Sequence, residues 1–214
     1  MSDLRQRDAL AASYDALAAE YGRRLAGELA HKPFDRALLD RFADRVRGLG
    51  PVVDVGCGPG QVAAYLHERG VDARGLDLSP AMVREARGRY PDVSFSVGDM
   101  TSLDEADGAW AAAVAFYSLI HLPRDEVGGA LRELRRVLRA GGLLLVAFHV
   151  GDEVRHFDEL WGVPVDLDFV LFTPGEMRGW LDEAGLTVEW LEERDPYPGV
   201  EAQTRRCYLL ARAP

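Results

Sequence analysis

The apolar positions of this chain change their period several times, and each change marks an element. Leu10, Tyr14, Leu17, Tyr21 and Leu25 recur at helical spacing, so Leu4 to Leu29 read as one or two helices with one apolar face. Lys32-Pro33 breaks that run. Asp35 is expected to cap a second helix whose Leu38, Leu39, Phe42 and Val46 face a sheet. Gly48-Leu49-Gly50-Pro51 then turns the chain into a short apolar strand at Val52–Val55.

Further apolar runs follow at Ala73–Leu76, Val93–Val97, Trp110–Phe116 and Leu143–Phe148. Helices are expected between them. Gln61 to Arg69 is closed by Gly70, and Ser79-Pro80 opens a helix to about Tyr90. Asp125 to Leu138 turns Val127, Leu131, Leu134 and Leu138 inward and stops at Ala140-Gly141-Gly142. The unbroken apolar run Trp110–Phe116 suits burial on both faces. Strand–helix alternation of this kind argues for an α/β fold, a mostly parallel sheet with helices on both faces. Gly151–Phe172 departs from the rhythm, mixing charges with His156, Phe157, Trp161, Phe169 and Phe172. A stretch that long between strand and helix is more often functional than plain loop, and it is expected to border a substrate pocket. Thr173 caps a last helix, Pro174–Ala184, and Leu186–Leu191 and Arg206–Ala211 are the final strands.

Composition narrows the class. At 214 residues one domain with a small cap is expected, large enough to bury roughly 70% of its unfolded surface. The net charge of −10, with Arg interleaved among Asp and Glu, argues against nucleic acid as a partner. Two cysteines, Cys57 and Cys207, imply no disulfide framework and suit a cytoplasmic protein. No apolar run approaches a membrane span, and the first residues do not read as a secretory signal. No Cys/His spacing for a metal and no Gly-x-Ser-x-Gly elbow is present.

The chemistry concentrates in Asp54-Val55-Gly56-Cys57-Gly58-Pro59-Gly60, a strand end followed by a glycine-rich bend and a helix start. Glycines there let the backbone bend and a ligand come close. Asp77 ends the next strand twenty-one residues after Gly56, and Asp99 follows the third. Ligands in parallel sheets bind beyond the carboxyl ends of the strands, and a carboxylate there can accept both hydroxyls of a ribose.

On these residues, with Leu76–Met82 and Gly98-Asp99-Met100, the chain resembles class I S-adenosylmethionine-dependent methyltransferases of the small-molecule type. The resemblance runs from about Asp35 to the C-terminus. It implies a Rossmann-like seven-stranded sheet with an antiparallel last strand. It implies S-adenosyl-L-methionine as cofactor, with Asp54, Gly56, Cys57, Gly58 and Gly60 backing its methionine part and Asp77 holding the ribose. Leu78 and Met82 would flank the adenine, Asp99 and Met100 would meet its amino edge, and Phe116 would offer a carbonyl to the amine. Residues 1–33 would form a helical lid in which Tyr14 reaches the cofactor. Residues 34–214 would form the methyltransferase domain, with 151–172 as a substrate-side insertion.

For the transfer itself the candidate catalytic residues are His149, Tyr117 and His121; His121 also reads as a packing histidine under the turn and His149 as a surface residue at a strand end. The acceptor is expected to be a small molecule and the protein a monomer or homodimer. Two other classes compete. One is a non-catalytic cofactor-binding or partner-binding module on the same fold. The other is a nicotinamide-dependent oxidoreductase, opposed by Gln61 where the dinucleotide fingerprint needs glycine.

Overall fold

In a computed structural model, which describes residues 2–214, seven strands join in one sheet. Met1, the first residue of the expected lid, lies outside them. The strands in chain order are β1 (Val52–Val55), β2 (Ala73–Asp77), β3 (Ser94–Val97), β4 (Trp110–Phe116), β5 (Leu138–His149), β8 (Thr187–Arg194) and β9 (Arg206–Arg212). Their order across the sheet is β3-β2-β1-β4-β5-β9-β8. β9 runs antiparallel to both neighbours and the other six share one direction. The order reverses between β1 and β4, which opens a crevice at their carboxyl ends.

Both faces are covered. Alternate residues of the central strands feed separate cores, as parallel strands require. Val53, Ala113, Leu144 and Leu209 meet α5 (Arg124–Val137) and α6 (Pro174–Glu183). Val52, Ala112, Leu145 and Leu210 meet α2 (Pro33–Val46) and α3 (Gln61–His67). The expected caps are present at two helices. Ser79 Oγ accepts from the Met82 amide at 3.1 Å to start α4 (Pro80–Arg89), and Thr173 with Glu176 forms a capping box on α6.

Three local expectations are corrected. Asp35 does not cap α2. Pro33 opens that helix, and Asp35 lies inside its first turn, fully buried, where Tyr208 Oη donates to it at 2.9 Å and Arg194 at 2.8 Å. The fifth strand begins at Leu138 rather than beyond Gly142, because Leu138 already pairs with Trp110 before a register shift. The irregular stretch Gly151–Phe172 is largely a hairpin of β6 (Val154–Leu160) and β7 (Val163–Val170), a separate two-stranded sheet. Its two-residue turn, Trp161-Gly162, has positive φ at both positions, 56° and 83°, which matches the right-handed twist of the strands. Trp161 is an unusual residue for that conformation. Its ring rests on Tyr21 at 5.6 Å and under the Arg24 guanidinium at 5.2 Å, both on α1 (Ser2–Leu25).

Asp35 ties α2 to the far side of the sheet through a buried charge pair. Removing one member leaves the other uncompensated, so Asp35→Ala should lower unfolding free energy by about 3–5 kcal/mol. Asp35→Asn, which keeps an acceptor for Tyr208, should lose less; denaturant melts of the three proteins measure the order.

Candidate functional site

The crevice at the strand ends continues into a cavity of about 750 Å³. Its floor is the bend after β1. Gly56 and Gly58 adopt φ of 73° and 52°. At Gly56 the requirement is also steric, since a Cβ would lie 2.3 Å from Ser118 Cβ in the loop leaving β4. Gly60, φ 88°, is different. A Cβ there would strike the Phe95 ring at 2.7 Å, and the residue does not line the cavity. Its expected cofactor contact is therefore corrected to a packing role at the start of α3. Cys57 lines the cavity, but its side chain belongs to a buried cluster with Val83 and Phe95, and burial pushes its thiol well above the ordinary range.

Two carboxylates meet the bend. Asp77 Oδ2 accepts from the Gly58 amide at 2.7 Å and Oδ1 from the Ser79 amide at 2.9 Å. Each oxygen keeps a lone pair for a ligand hydroxyl. Burial raises its pKa, opposed by those two amides. Asp54 is 2% exposed, and its Oδ2 has no partner although it borders the cavity. Burial pushes its pKa up to about 8, against the pull of the Ala63 amide, with Asp77 adding to the rise. A buried polar atom without a partner is rare, and a ligand donor would satisfy it. Leu78, Met82, Met100 and Phe116 also face the cavity. Asp99 does not. Its carboxylate accepts from Thr101 at 2.8 and 2.7 Å and pairs with Arg7 at 3.2 Å, while its neighbours Gly98 and Met100 line the cavity.

The roof is α1 with the β6–β7 hairpin. Asp15 Oδ1 accepts from Ser79 Oγ at 2.5 Å and from the Ala81 amide at 2.8 Å, a second cap on α4 supplied from α1. Ser13 exchanges two hydrogen bonds with the Asp166 backbone on β7, at 3.2 and 3.0 Å. Tyr14 lines the cavity, and its hydroxyl lies 2.6 Å from His121 Nε2. His121 Nδ1 lies 3.2 Å from the Asp168 carbonyl, which can only accept. Nδ1 therefore carries the proton, and Nε2 accepts from Tyr14. Burial lowers the His121 pKa to about 4.

The three candidate catalytic residues converge on the far end of the cavity, and each is already engaged. Tyr208 gives its proton to Asp35 and accepts from Arg194 at 3.0 Å, so Tyr117, 2.9 Å from Tyr208 Oη, is the donor in that pair. Burial pushes the Tyr117 phenol well up, and its backbone is in the left-handed region at φ 57°. His149 Nδ1 lies 2.8 Å from Thr204 Oγ1, which also accepts from Arg206 at 2.6 Å. His149 is lowered to about 3, chiefly by burial and then by the Arg206 charge. Both nitrogens of His121 and the Tyr117 hydroxyl are bonded within the protein, whereas His149 Nε2 has no hydrogen-bond partner among the described residues.

Residues 52–142 match the family described as methyltransferase domain. A demethylmenaquinone methyltransferase from Beutenbergia cavernae is 37% identical over 127 residues, 59% of this chain and 51% of that protein. A malonyl-[acyl-carrier protein] O-methyltransferase from Pseudescherichia vulneris is 28% identical over 148 residues, covering 68% and 58% of the two chains. The chain thus spans little more than half the length of these relatives. Magnesium protoporphyrin IX methyltransferase from Synechocystis PCC 6803, solved with bound S-adenosylmethionine, superposes at TM-score 0.73 over 98% of this chain and 97% of that one, at 16% identity.

Residues 52–142 carry the match to a methyltransferase domain.

Within this domain the family's cofactor is S-adenosylmethionine, and the residues present fit it: a glycine bend, a carboxylate with free lone pairs, and a buried oxygen lacking a donor. Several cavity residues of the methyltransferase were not legible beforehand. Lys32 reads only as part of a helix break, yet it is buried and pairs with Glu28 at 2.6 Å. Arg206 hides at the start of an apolar strand and is 2% exposed. Glu201 and Thr204 lie in the long β8–β9 connection. An arginine heading an otherwise apolar run was the available signal, since such a charge is seldom buried without a task.

The fold raises the Asp54 pKa from about 3.9 to about 8, so its stability contribution is full below pH ~4 and is lost as pH rises through 8, at about 1.4 kcal/mol per unit. Asp54→Asn should melt higher than the parent at pH 7.5, match it near pH 4, and bind S-adenosylhomocysteine more weakly; thermal scans and calorimetry measure both.

Proposed function

We propose that this chain transfers a methyl group from S-adenosylmethionine to a small-molecule acceptor. The observation that carries the reading is the pair Asp54 and Asp77, buried at adjacent strand ends around a glycine bend and facing one cavity. The Gly56–Gly58 backbone and Asp54 would hold the methionine part, Asp77 the ribose, and Leu78, Met82 and Met100 the adenine. Phe116 would offer its carbonyl to the amine. When bound, the cofactor supplies an activated methyl on a sulfonium, so the protein's task is position and exclusion of water.

The roof supports that task. We assign residues 1–33 as the lid and 151–172 as the substrate-side insertion of the 34–214 domain, because Ser13, Tyr14 and Asp15 fasten α1 to the hairpin, to His121 and to α4. Tyr14 acts by closing the lid on His121. His121 and Tyr117, held by their neighbours, shape the acceptor end, and His149, held only at Nδ1, is the candidate base there. The cavity favours an enzyme over a non-catalytic module, since a binder has no use for a space beyond the cofactor cradle. The net charge of −10 supports an acceptor other than nucleic acid, and no helix among the described residues is long and apolar enough to cross a membrane. A cytoplasmic monomer or homodimer fits the free cysteines Cys57 and Cys207.

Calorimetry with S-adenosylmethionine, S-adenosylhomocysteine and NAD should show binding of the first two only. Asp77→Ala should weaken S-adenosylmethionine by about 1.5–3 kcal/mol, the scale of hydrogen bonds to a charged group. Labelled-methyl transfer across an acceptor panel then separates enzyme from binder. Binding of NAD alone, or an Asp77→Ala variant with unchanged affinity, would overturn the assignment. Tyr14→Phe should lower turnover severalfold with little loss of folding stability, since only the latch hydroxyl is removed.

A further inference from the structure

The far end of the cavity holds two buried cations for which the cofactor cradle has no evident use, Lys32 and Arg206, with the half-buried Arg194 outside its lining. Arg194 is fully matched, by Asp35 at 2.8 Å and by Glu201. Lys32 has Glu28 at 2.6 Å, which is itself shared with Gln61 at 3.0 Å. Arg206 has no carboxylate of its own. Its nearest is Glu201 at 3.4 Å, which also serves Arg194 and lies 3.7 Å from Lys32. The Arg206 Nη1 group donates to the carbonyl and hydroxyl of Thr204, and its Nε–H has no partner at all.

Both Lys32 and Arg206 line the cavity, 5.8 and 5.9 Å from the Tyr117 ring on its wall. Arg206 is the register partner of His149 across β5 and β9, two strands further from β1 than the loop that faces Gly56. That places it on the acceptor side of the cavity rather than in the bend. Around it the walls are aromatic and apolar, including Phe116, Tyr117, Phe157 and Phe169. A buried guanidinium with an idle N–H beside apolar walls is an unfinished charge-assisted hydrogen bond. The His149 pKa is lowered first by burial and then by the Arg206 charge, with Lys32 a lesser contributor and Glu201 opposing.

We propose that Arg206 and Lys32 form an oxyanion-binding subsite that anchors a methyl acceptor consisting of an apolar, planar body bearing a carboxylate or comparably acidic oxygen. This rests on the methyltransferase reading and specifies its substrate class. The ion pairs of Glu201 keep the two cations aimed at the cavity in the empty protein, and the acceptor's oxygen completes the Arg206 hydrogen bonds on entry. Neutral analogues of the same shape leave the Nε–H unpaired and bind less well.

The test uses 1-naphthoate as anionic probe and 1-naphthamide as its neutral counterpart, titrated calorimetrically into the full chain saturated with S-adenosylhomocysteine. The parent should bind naphthoate about tenfold or more tighter than naphthamide, the scale of one charge-assisted bond. Arg206→Gln should erase that preference while leaving S-adenosylhomocysteine affinity within about twofold. Lys32→Gln should reduce the preference in part, which guards against a misfolded Arg206 variant; circular dichroism checks both. Equal binding of the two probes to the parent would overturn the subsite. Loss of S-adenosylhomocysteine affinity in Arg206→Gln would also overturn it, by giving these cations to the cofactor's own carboxylate. Failure of the parent to bind S-adenosylhomocysteine at all would instead strike the methyltransferase reading.

Discussion

The loops that leave β1 and β4 touch, and the site exists because of that contact. With Ser118 Cβ only 2.3 Å from where a Gly56 side chain would begin, no other residue fits without moving one loop. The contact lies where the strand order reverses, so the sheet itself creates the crevice and the glycine keeps it open to backbone approach. Asp54 and Asp77 hang from the two strands beside that point. Their burial follows from the sheet being covered on both faces, and their raised pKa values follow from burial.

A polar interior of this kind must be self-satisfied or leave its gaps facing a ligand. Most of the gaps close within the protein. Asp35, Tyr208, Tyr117 and Arg194 form one chain of donors and acceptors from α2 to the wall of the cavity. Thr204 relays Arg206 to His149. His121 and Tyr117, which look reactive in the sequence, are therefore neutral and occupied, and His149 is held only at Nδ1. Among the described residues, most of the atoms left over, Arg7 Nε, Asp54 Oδ2, Gln61 Oε1, Ser118 Oγ and Arg206 Nε, belong to residues that line the cavity, and Arg124 Nη1 lies outside it.

What the sequence reveals and hides follows the range of the interactions. The apolar periods, the Ser79-Pro80 and Thr173 helix starts, and the Asp54–Gly60 and Asp77 strand ends are local signals, and the structure places each of them as expected. Asp35 was misread because a carboxylate near a helix start usually caps it, whereas here its partners lie 159 and 173 residues away. The Arg7 partner of Asp99 is hidden in the same way, since it comes from α1, far back in the chain. The β6–β7 hairpin escaped detection because its strands are largely exposed and its turn carries a tryptophan where Asn or Asp would announce the bend. Lys32 and Arg206 owe their importance to what the fold packs around them.

The cap that Asp15 places on α4 has a conformational meaning. The first turn of α4 carries Met82, whose side chain faces the cavity, and two of the groups at that helix start are bonded from the roof. Displacing α1 would take Asp15 from them and leave Ser79 as the cap on that turn, so the seating of α1 and the winding of the start of α4 are coupled.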